Sequence, residues 1–236
     1  MGEWVAAVVP AGGRGVRMGT NIPKQFLSLG GVPLLVHALQ AFEQSPIISE
    51  IILVVPQDDC QFCREDIVPS YGIKKVSQVV VGGRRRQDSV LNGVRAANSD
   101  TEIVVVHDAV RPFVTLDMIS QVVDSSKAHG AAIVALPMRD TVKRVNADGF
   151  IQETLRRDGL WLAQTPQAFR RTVLLQAHQQ GEANGVEATD DAFLVERLGL
   201  PVAIVQGSSD NIKVTRPEDL AMGEAILSAK NTNICP

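Results

Sequence analysis

Trp4-Val5-Ala6-Ala7-Val8-Val9-Pro10-Ala11-Gly12-Gly13-Arg14-Gly15-Val16-Arg17-Met18-Gly19 is the stretch on which the fold turns. Its first six residues are Val- and Ala-rich and lack polar alternation, which reads as a short parallel strand buried on both faces. Residues 12–19 hold four glycines and two arginines. Glycine lets the backbone take positive φ and approach a ligand closely. Turned N–H groups then form an anion-binding nest, and the arginines add fixed positive charge. A strand ending in such a loop points to a phosphate site at the carboxyl edge of a sheet. The pattern is not G-x-x-x-x-G-K-[ST]. Gly13-Arg14-Gly15-Val16-Arg17-Met18 also misses the last glycine of G-x-G-x-x-G, and Asn21-Ile22-Pro23 breaks the chain where a dinucleotide fold continues as helix. A glycine-rich surface loop without a ligand is the alternative.

The 236 residues suffice for one large α/β domain or two small ones. Aromatics are 4%, too few for the stacking platforms that hold single-stranded nucleic acid. A net charge of −3 argues against a general nucleic-acid or membrane-surface binder, so local arginines and lysines must hold any anion. No apolar run reaches membrane-spanning length, and Met1-Gly2-Glu3-Trp4 does not open a signal peptide; the expected compartment is the cytoplasm. Cys60-Gln61-Phe62-Cys63 matches C-x-x-C. A zinc site needs two more ligands, and Cys235 lies in a tail expected to fray. Residues 58–68 read as a helix with both thiols on one face and no chemistry of their own.

Strands and helices alternate along the chain. A helix is expected over 33–42, with Leu34, Leu35, Ala38, Leu39 and Phe42 on one stripe and His37 beside it as a satisfied, partly buried histidine. Strands follow at 51–56, 77–81, 103–107 and 131–136, with helices at 58–68, around Val90 to Ala97, and over 116–129. This rhythm predicts a mostly parallel sheet with right-handed crossovers, and it gathers the loops after each strand on one edge. Runs 141–145 and 150–154 flank Asn146-Ala147-Asp148-Gly149, a hairpin signal. A two-stranded ribbon is marginal alone, so a second subunit is its natural support. Helices near 170–184 and 190–198, a strand at 202–205 and a final helix opened by Pro217-Glu218-Asp219 complete the chain. Residues 1–230 are expected to form one domain with an arm at about 138–157, and 231–236 a frayed tail.

Several loops carry chemistry. Gly82-Gly83-Arg84-Arg85-Arg86-Gln87-Asp88-Ser89 joins a strand end to a helix start and suits an anion or nucleotide; a solvated basic turn is the alternative. Ser89 either bonds a base or caps the helix. In His107-Asp108-Ala109-Val110-Arg111-Pro112 a carboxylate ends a buried strand, a usual place for a Mg²⁺ ligand, and Arg111 can neutralise phosphate; a plain turn cap is the alternative. Arg156-Arg157 and Gln164-Thr165-Pro166-Gln167 suit a monophosphate or an exposed turn. Thr189-Asp190-Asp191 reads first as a helix cap. Lys213, between Ile212 and Val214, either guards an edge strand or aims its charge into the site.

Pro10 to Met18, Pro23-Lys24-Gln25, Gly83 to Ser89, His107-Asp108-Ala109-x-Arg111-Pro112, Arg139-Asp140-Thr141-x-Lys143, Thr165-Pro166-Gln167 and Asp210-Asn211-Ile212-Lys213-Val214-Thr215 fall in order. Together they resemble the 2-C-methyl-D-erythritol 4-phosphate cytidylyltransferases of the non-mevalonate isoprenoid pathway, over residues 4 to about 228. Ribitol-phosphate cytidylyltransferases share much of the pattern. The resemblance implies a Rossmann-like nucleotidyltransferase fold, with helices on both faces of a twisted sheet and a protruding β-hairpin arm. It implies that Pro10, Ala11, Gly12, Gly13, Gly83, Arg84, Ser89 and Ala109 bind CTP, though position 84 is acidic in some members. It implies that Arg17, Lys24 and Lys213 act on the phosphates, and that Asp108 holds Mg²⁺. Arg111, Thr141, Arg157, Thr165 and Thr189 then face the polyol phosphate, and homodimers exchange arms so that Arg157 reaches the partner's site. Attack by a phosphate anion needs no general base, only alignment and neutralised charge. A non-catalytic nucleotide-binding regulator and an NAD-dependent reductase are the rivals from other classes.

Overall fold

The computed structural model describes residues 4–13 and 22–232. Strand β1 (Trp4–Pro10) lies inside a seven-stranded sheet. Its odd residues Val5, Ala7 and Val9 enter one core, and its even residues Ala6 and Val8 enter another. Both faces are covered, which is why the run shows no polar alternation.

A short hairpin of β2 (Ser28–Leu29) and β3 (Val32–Pro33) leads into α1 (Leu34–Gln44) and β4 (Glu50–Val55). A helical passage follows: a 3-10 turn (Gln57–Asp59), α2 (Cys60–Phe62), a π turn (Cys63–Ile67) and α3 (Val68–Ser70). Then come β5 (Val76–Val81), α4 (Arg86–Ala96), β6 (Thr101–Val106), α5 (Leu116–His129) and β7 (Ala131–Pro137). The arm is β8 (Val142–Val145) with β9 (Ile151–Leu155), and after it β10 (Trp161–Arg170), α6 (Arg171–Ala183), α7 (Asp191–Glu196), β11 (Ala203–Gln206) and α8 (Pro217–Thr232). The main sheet runs β11-β7-β10-β6-β1-β4-β5. All its pairings are parallel except those of β10, which is antiparallel to both β6 and β7.

Helices cover both faces, as expected of an α/β chain. Leu35, Leu39 and Phe42 of α1, Cys60 and Cys63, and Ile119, Val122 and Val123 of α5 pack on one face. Val90 and Val94 of α4, Leu174 and Ala177 of α6, and Leu194 and Val195 of α7 pack on the other. Helix α5 has the bounds read from sequence because both ends carry signals. The Thr115 hydroxyl accepts from Met118 N–H at 3.2 Å, and Gly130 closes the helix at φ 91°. The C-x-x-C thiols sit in the core, and burial pushes the Cys63 thiol up to about 12. His37 is satisfied by the Leu29 carbonyl at 2.9 Å.

Two of the alternatives fall, and two elements gain detail. Gln164-Thr165-Pro166-Gln167 is no exposed turn but the middle of β10, buried between β6 and β7. A proline argues against a central strand. Here the β10–β7 register shifts between Ala163 and Gln167, and the bulge accommodates Pro166. The Asp-Gly hairpin forms where it is expected: Asn146 N–H bonds the Phe150 carbonyl and Gly149 takes φ 85°. Strand β5 is an edge, only partly covered. Residues 210–215 form no strand, so Lys213 guards no edge.

Helix α4 lies close on the sheet. A Cβ on Gly93 would strike Val8 Cγ1 and come within 3.0 Å of Val54 Cγ2. Gly93→Ala should therefore destabilise the protein by about 1–3 kcal/mol through overpacking. Urea unfolding checks this; an unchanged midpoint would show that α4 moves off the sheet freely.

Candidate active site

The strand order reverses at β1. β4 and β5 extend the sheet on one side of it and β6 on the other. Such a switch point opens a crevice beyond the carboxyl ends of the strands. A cleft of about 310 Å³ occupies it. The end of β1 supplies Pro10 to Gly13, the turn after β5 supplies Gly83 to Arg86, α4 supplies Ser89, and the turn after β6 supplies Asp108, Ala109 and Val110. Lys24, Gln25 and Lys213 complete the wall.

Backbone closeness explains Gly83. A Cβ there would run into Asp88 Cβ and press on the Asp88 backbone at the start of α4, whereas one on Gly13 would meet the flexible end of the Lys24 side chain. Gly83 N–H is received by the Ser89 hydroxyl at 3.0 Å, so Ser89 fastens the turn to α4 and does not cap the helix. The first turn of α4 is closed instead by Asp88, whose carboxylate accepts from Arg85 N–H at 3.0 Å and pairs with the Arg85 guanidinium at 2.7 Å. Arg84 is exposed, and Arg86 turns inward.

The electrostatic centre is Asp108, 7% exposed. Lys213 Nζ lies 2.8 Å from Oδ2, Arg86 Nε 3.1 Å from Oδ1, and Arg111 Nε 3.7 Å from Oδ2. Burial alone would raise this carboxyl; Arg86, Lys213 and Arg111 outweigh it and hold Asp108 well below the usual carboxylate range. Arg86 is shared with the fully buried Asp191 at 2.7 Å, and His178 stands on the far side of Asp191 at 3.3 Å. Burial works against the Arg86 charge, but Asp191 and Asp108 overcome it and raise its pKa.

Behind Asp108 a polar relay fixes its backbone. His107 is fully buried, with Nε2 donating to the Arg111 carbonyl at 3.0 Å. That leaves Nδ1 to accept from the Thr165 hydroxyl at 3.0 Å, and the same oxygen accepts from Asp108 N–H at 3.1 Å. Asn211 Nδ2 donates to the Thr165 carbonyl at 2.8 Å, and Arg111 donates to the Asn211 carbonyl at 2.7 Å. Val214 N–H bonds the Val110 carbonyl at 2.9 Å. These bonds hold the segment that carries Lys213 to Asp108.

Of the residues read from sequence, Pro10, Ala11, Gly12, Gly13, Lys24, Gly83, Arg84, Ser89, Asp108, Ala109 and Lys213 line one cleft. Arg17 lies outside the described residues. Arg111 and Thr165 stand behind the cleft, committed to protein partners. Thr141 and Arg157 are exposed on and beside the arm, with Arg157 donating to the Arg139 carbonyl at 2.6 Å. Thr189 is exposed ahead of α7, and Asp190 provides the cap by accepting from Phe193 N–H at 3.0 Å. Sequence reasoning missed Gln25, His107, Asp191 and Asn211, and did not separate Arg86 from its two neighbours. The one available signal for Arg86 was its place at the first helical position after a glycine pair.

A family model for 2-C-methyl-D-erythritol 4-phosphate cytidylyltransferase matches residues 5–229. A protein of that name from Syntrophus aciditrophicus is 50% identical over 230 residues, covering 98% of each chain. Another from Pelotomaculum thermopropionicum is 50% identical over 226 residues, covering 96% of this chain and 95% of its own. The crystal structure of 4-diphosphocytidyl-2C-methyl-D-erythritol synthase from Anaerococcus prevotii superimposes with a TM-score of 0.84 at 30% identity, covering 96% of each chain.

Burial drives the His107 pKa down to about 4 from 6.5. The unfolded chain takes up a proton near pH 6.5 that the folded chain resists until about 4, so stability falls as pH drops through that window and is fully present above it. His107→Gln should remove about 3 kcal/mol of the decline seen by urea unfolding between pH 7 and 4. The same pH slope in variant and wild type would mean that the folded protein accommodates a charged imidazole.

Proposed function

The chain belongs to the 2-C-methyl-D-erythritol 4-phosphate cytidylyltransferase family, and on that premise we propose how its residues serve the reaction. The reaction is cytidylyl transfer from CTP to 2-C-methyl-D-erythritol 4-phosphate, giving 4-diphosphocytidyl-2-C-methyl-D-erythritol and pyrophosphate in the isoprenoid pathway. The observation that carries the reading is Asp108, ionised under three cations at the lip of a glycine-lined cleft.

The attacking group is a phosphate oxygen that is already anionic, so the site needs charge and alignment rather than a base. Pro10 to Gly13, Gly83, Arg84, Ser89 and Ala109 receive the nucleotide, with backbone N–H groups and glycine surfaces setting its depth. Lys24, Lys213 and Arg17 neutralise charge that builds on the α-phosphate and on the departing pyrophosphate. Arg86 and Arg111 act through Asp108, whose held carboxylate anchors Lys213. Thr165 positions Asp108 from behind. Thr141, Arg157 and Thr189 are assigned to the polyol phosphate.

The donor set fits a divalent cation that arrives with the nucleotide. Asp108 is ionised and is the one carboxylate among the described lining residues. Among the described residues no group of three or more His, Cys, Asp and Glu side chains could hold a metal by itself. Asp108 would be the residue that holds Mg²⁺, and the ion would supply neutralisation of phosphate charge.

We assign the chain to one nucleotidyltransferase domain, whose last helix α8 runs to Thr232, two residues past the expected boundary at 230. Among the described residues no helix is long and apolar enough to cross a membrane; a cytoplasmic enzyme is the reading consistent with its soluble substrates. The arm pairs β8 only with β9 and exposes Val145, Phe150 and Ile151 at 53, 71 and 63%. A ribbon so short and so apolar supports a homodimer in which each arm crosses to the partner.

Pyrophosphate release should require both CTP and methylerythritol phosphate, with ATP and GTP far poorer. Faster turnover with ribitol 5-phosphate would move the enzyme to the related polyol class. Lys24→Ala should lower turnover about a hundredfold or more with the fold intact, as loss of one preorganised charge contact does; wild-type rates would return the loop to a passive surface.

The exchanged arm is tested by mixing two inactive variants, Arg157→Ala and Lys213→Ala. If one site draws these residues from different chains, a mixed dimer contains one doubly mutated site and one intact site. Activity should then return to about half per heterodimer. No recovery on mixing, or a monomer in solution, contradicts the arrangement.

A further inference from the structure

The 3-10 turn Lys24–Phe26 places two polar side chains on the cleft wall, and the reaction as described uses only Lys24. Gln25 is 1% exposed and lines the cleft, yet neither its Nε2 nor its Oε1 has a hydrogen-bond partner among the described residues. Among the described residues the three other buried glutamines have both ends engaged, while Asn211 keeps its Nδ2 bonded and its Oδ1 bare. Gln87 donates to the Val186 carbonyl at 3.0 Å and accepts from Ala188 N–H at 2.8 Å. Gln167 donates to Asp190 at 2.8 Å and accepts from Ala192 N–H at 3.3 Å. Gln164 donates to the Ser208 carbonyl at 3.0 Å and accepts from Asn211 at 3.3 Å. An amide removed from water with both ends bare costs stability, and an aliphatic side chain of the same length would pack there without that cost.

We propose that Gln25 is a nucleotide-contacting residue whose amide pairs with the nucleoside half of bound CTP. The inference rests on the cytidylyltransferase reading and extends it. Its chemistry follows from the two bare atoms. Nε2 is a donor and Oε1 an acceptor, so the matching ligand group must both accept and donate. Phosphate oxygens accept only; against them Oε1 would stay bare. The ribose hydroxyls do both, and the cytosine edge offers an amino donor beside a ring acceptor. Gln25 thus complements Lys24: one residue of the turn meets charge, and the next meets the neutral part of the nucleotide.

The test is Gln25→Met, which keeps length and removes both polar atoms, with Gln25→Leu as a second variant in case the thioether overfills the site. Thermal unfolding without ligand and titration with CTP and with pyrophosphate are measured on each. The expected result is an unliganded Tm equal to or above wild type, a Kd for CTP raised about tenfold or more, and a Kd for pyrophosphate within about twofold of wild type. A lower unliganded Tm in both variants would make Gln25 a structural residue and overturn the inference. So would unchanged CTP affinity, or an equal loss for CTP and pyrophosphate, which would put the contact on the phosphates. If wild-type protein binds pyrophosphate but not CTP, the cytidylyltransferase reading itself fails; if CTP binds normally and only the variant is unaffected, this inference alone fails.

Discussion

A carboxylate stripped of water is tolerated only where opposite charge replaces the lost hydration. Asp108 meets that condition through Lys213, Arg86 and Arg111, each carried by a different part of the chain. Arg86 comes from the first turn of α4, Arg111 from the turn after β6, and Lys213 from the segment between β11 and α8. None of the three can withdraw without leaving a buried charge short of a partner, so the site and the packing of these segments depend on one another. Arg86 faces the same demand from Asp191 on its other side, which ties α4 to α7. The cleft is therefore preorganised: its cations are held by protein before any phosphate enters.

Strand β10 makes this possible. It runs against its neighbours through the middle of an otherwise parallel sheet and brings Gln164, Thr165 and Gln167 beneath the site. Thr165 reaches the Asp108 backbone and His107 at once, and Gln167 reaches Asp190 at the head of α7. The bulge between Ala163 and Gln167 allows a proline in a central strand and turns polar side chains toward partners that a regular ladder would not offer. Neutral His107, with both ring nitrogens engaged, adds no charge of its own to a centre already crowded with cations.

The sequence by itself determined the α/β class, most strand and helix positions and the glycine-lined edge, because these follow from local periodicity, turn chemistry and the alternation of elements. β1 was legible from its unbroken apolar run, α5 at 116–129 from its place in the alternation of strands and helices, and the cleft from glycine-rich loops placed after strand ends. Tertiary structure alone decided which polar residues face one another. Three consecutive arginines at 84, 85 and 86 have the same local signal, yet one is exposed, one pairs with Asp88 on its own helix, and one turns to Asp108 and Asp191. The difference is set by where α4 begins relative to β6 and α7, which no window of sequence contains. The same holds for Thr165 and Asn211, 57 and 46 residues from the partners they hold. Burial and charge pairing are properties of segments meeting in space, and the chain spells out the segments without spelling out the meeting.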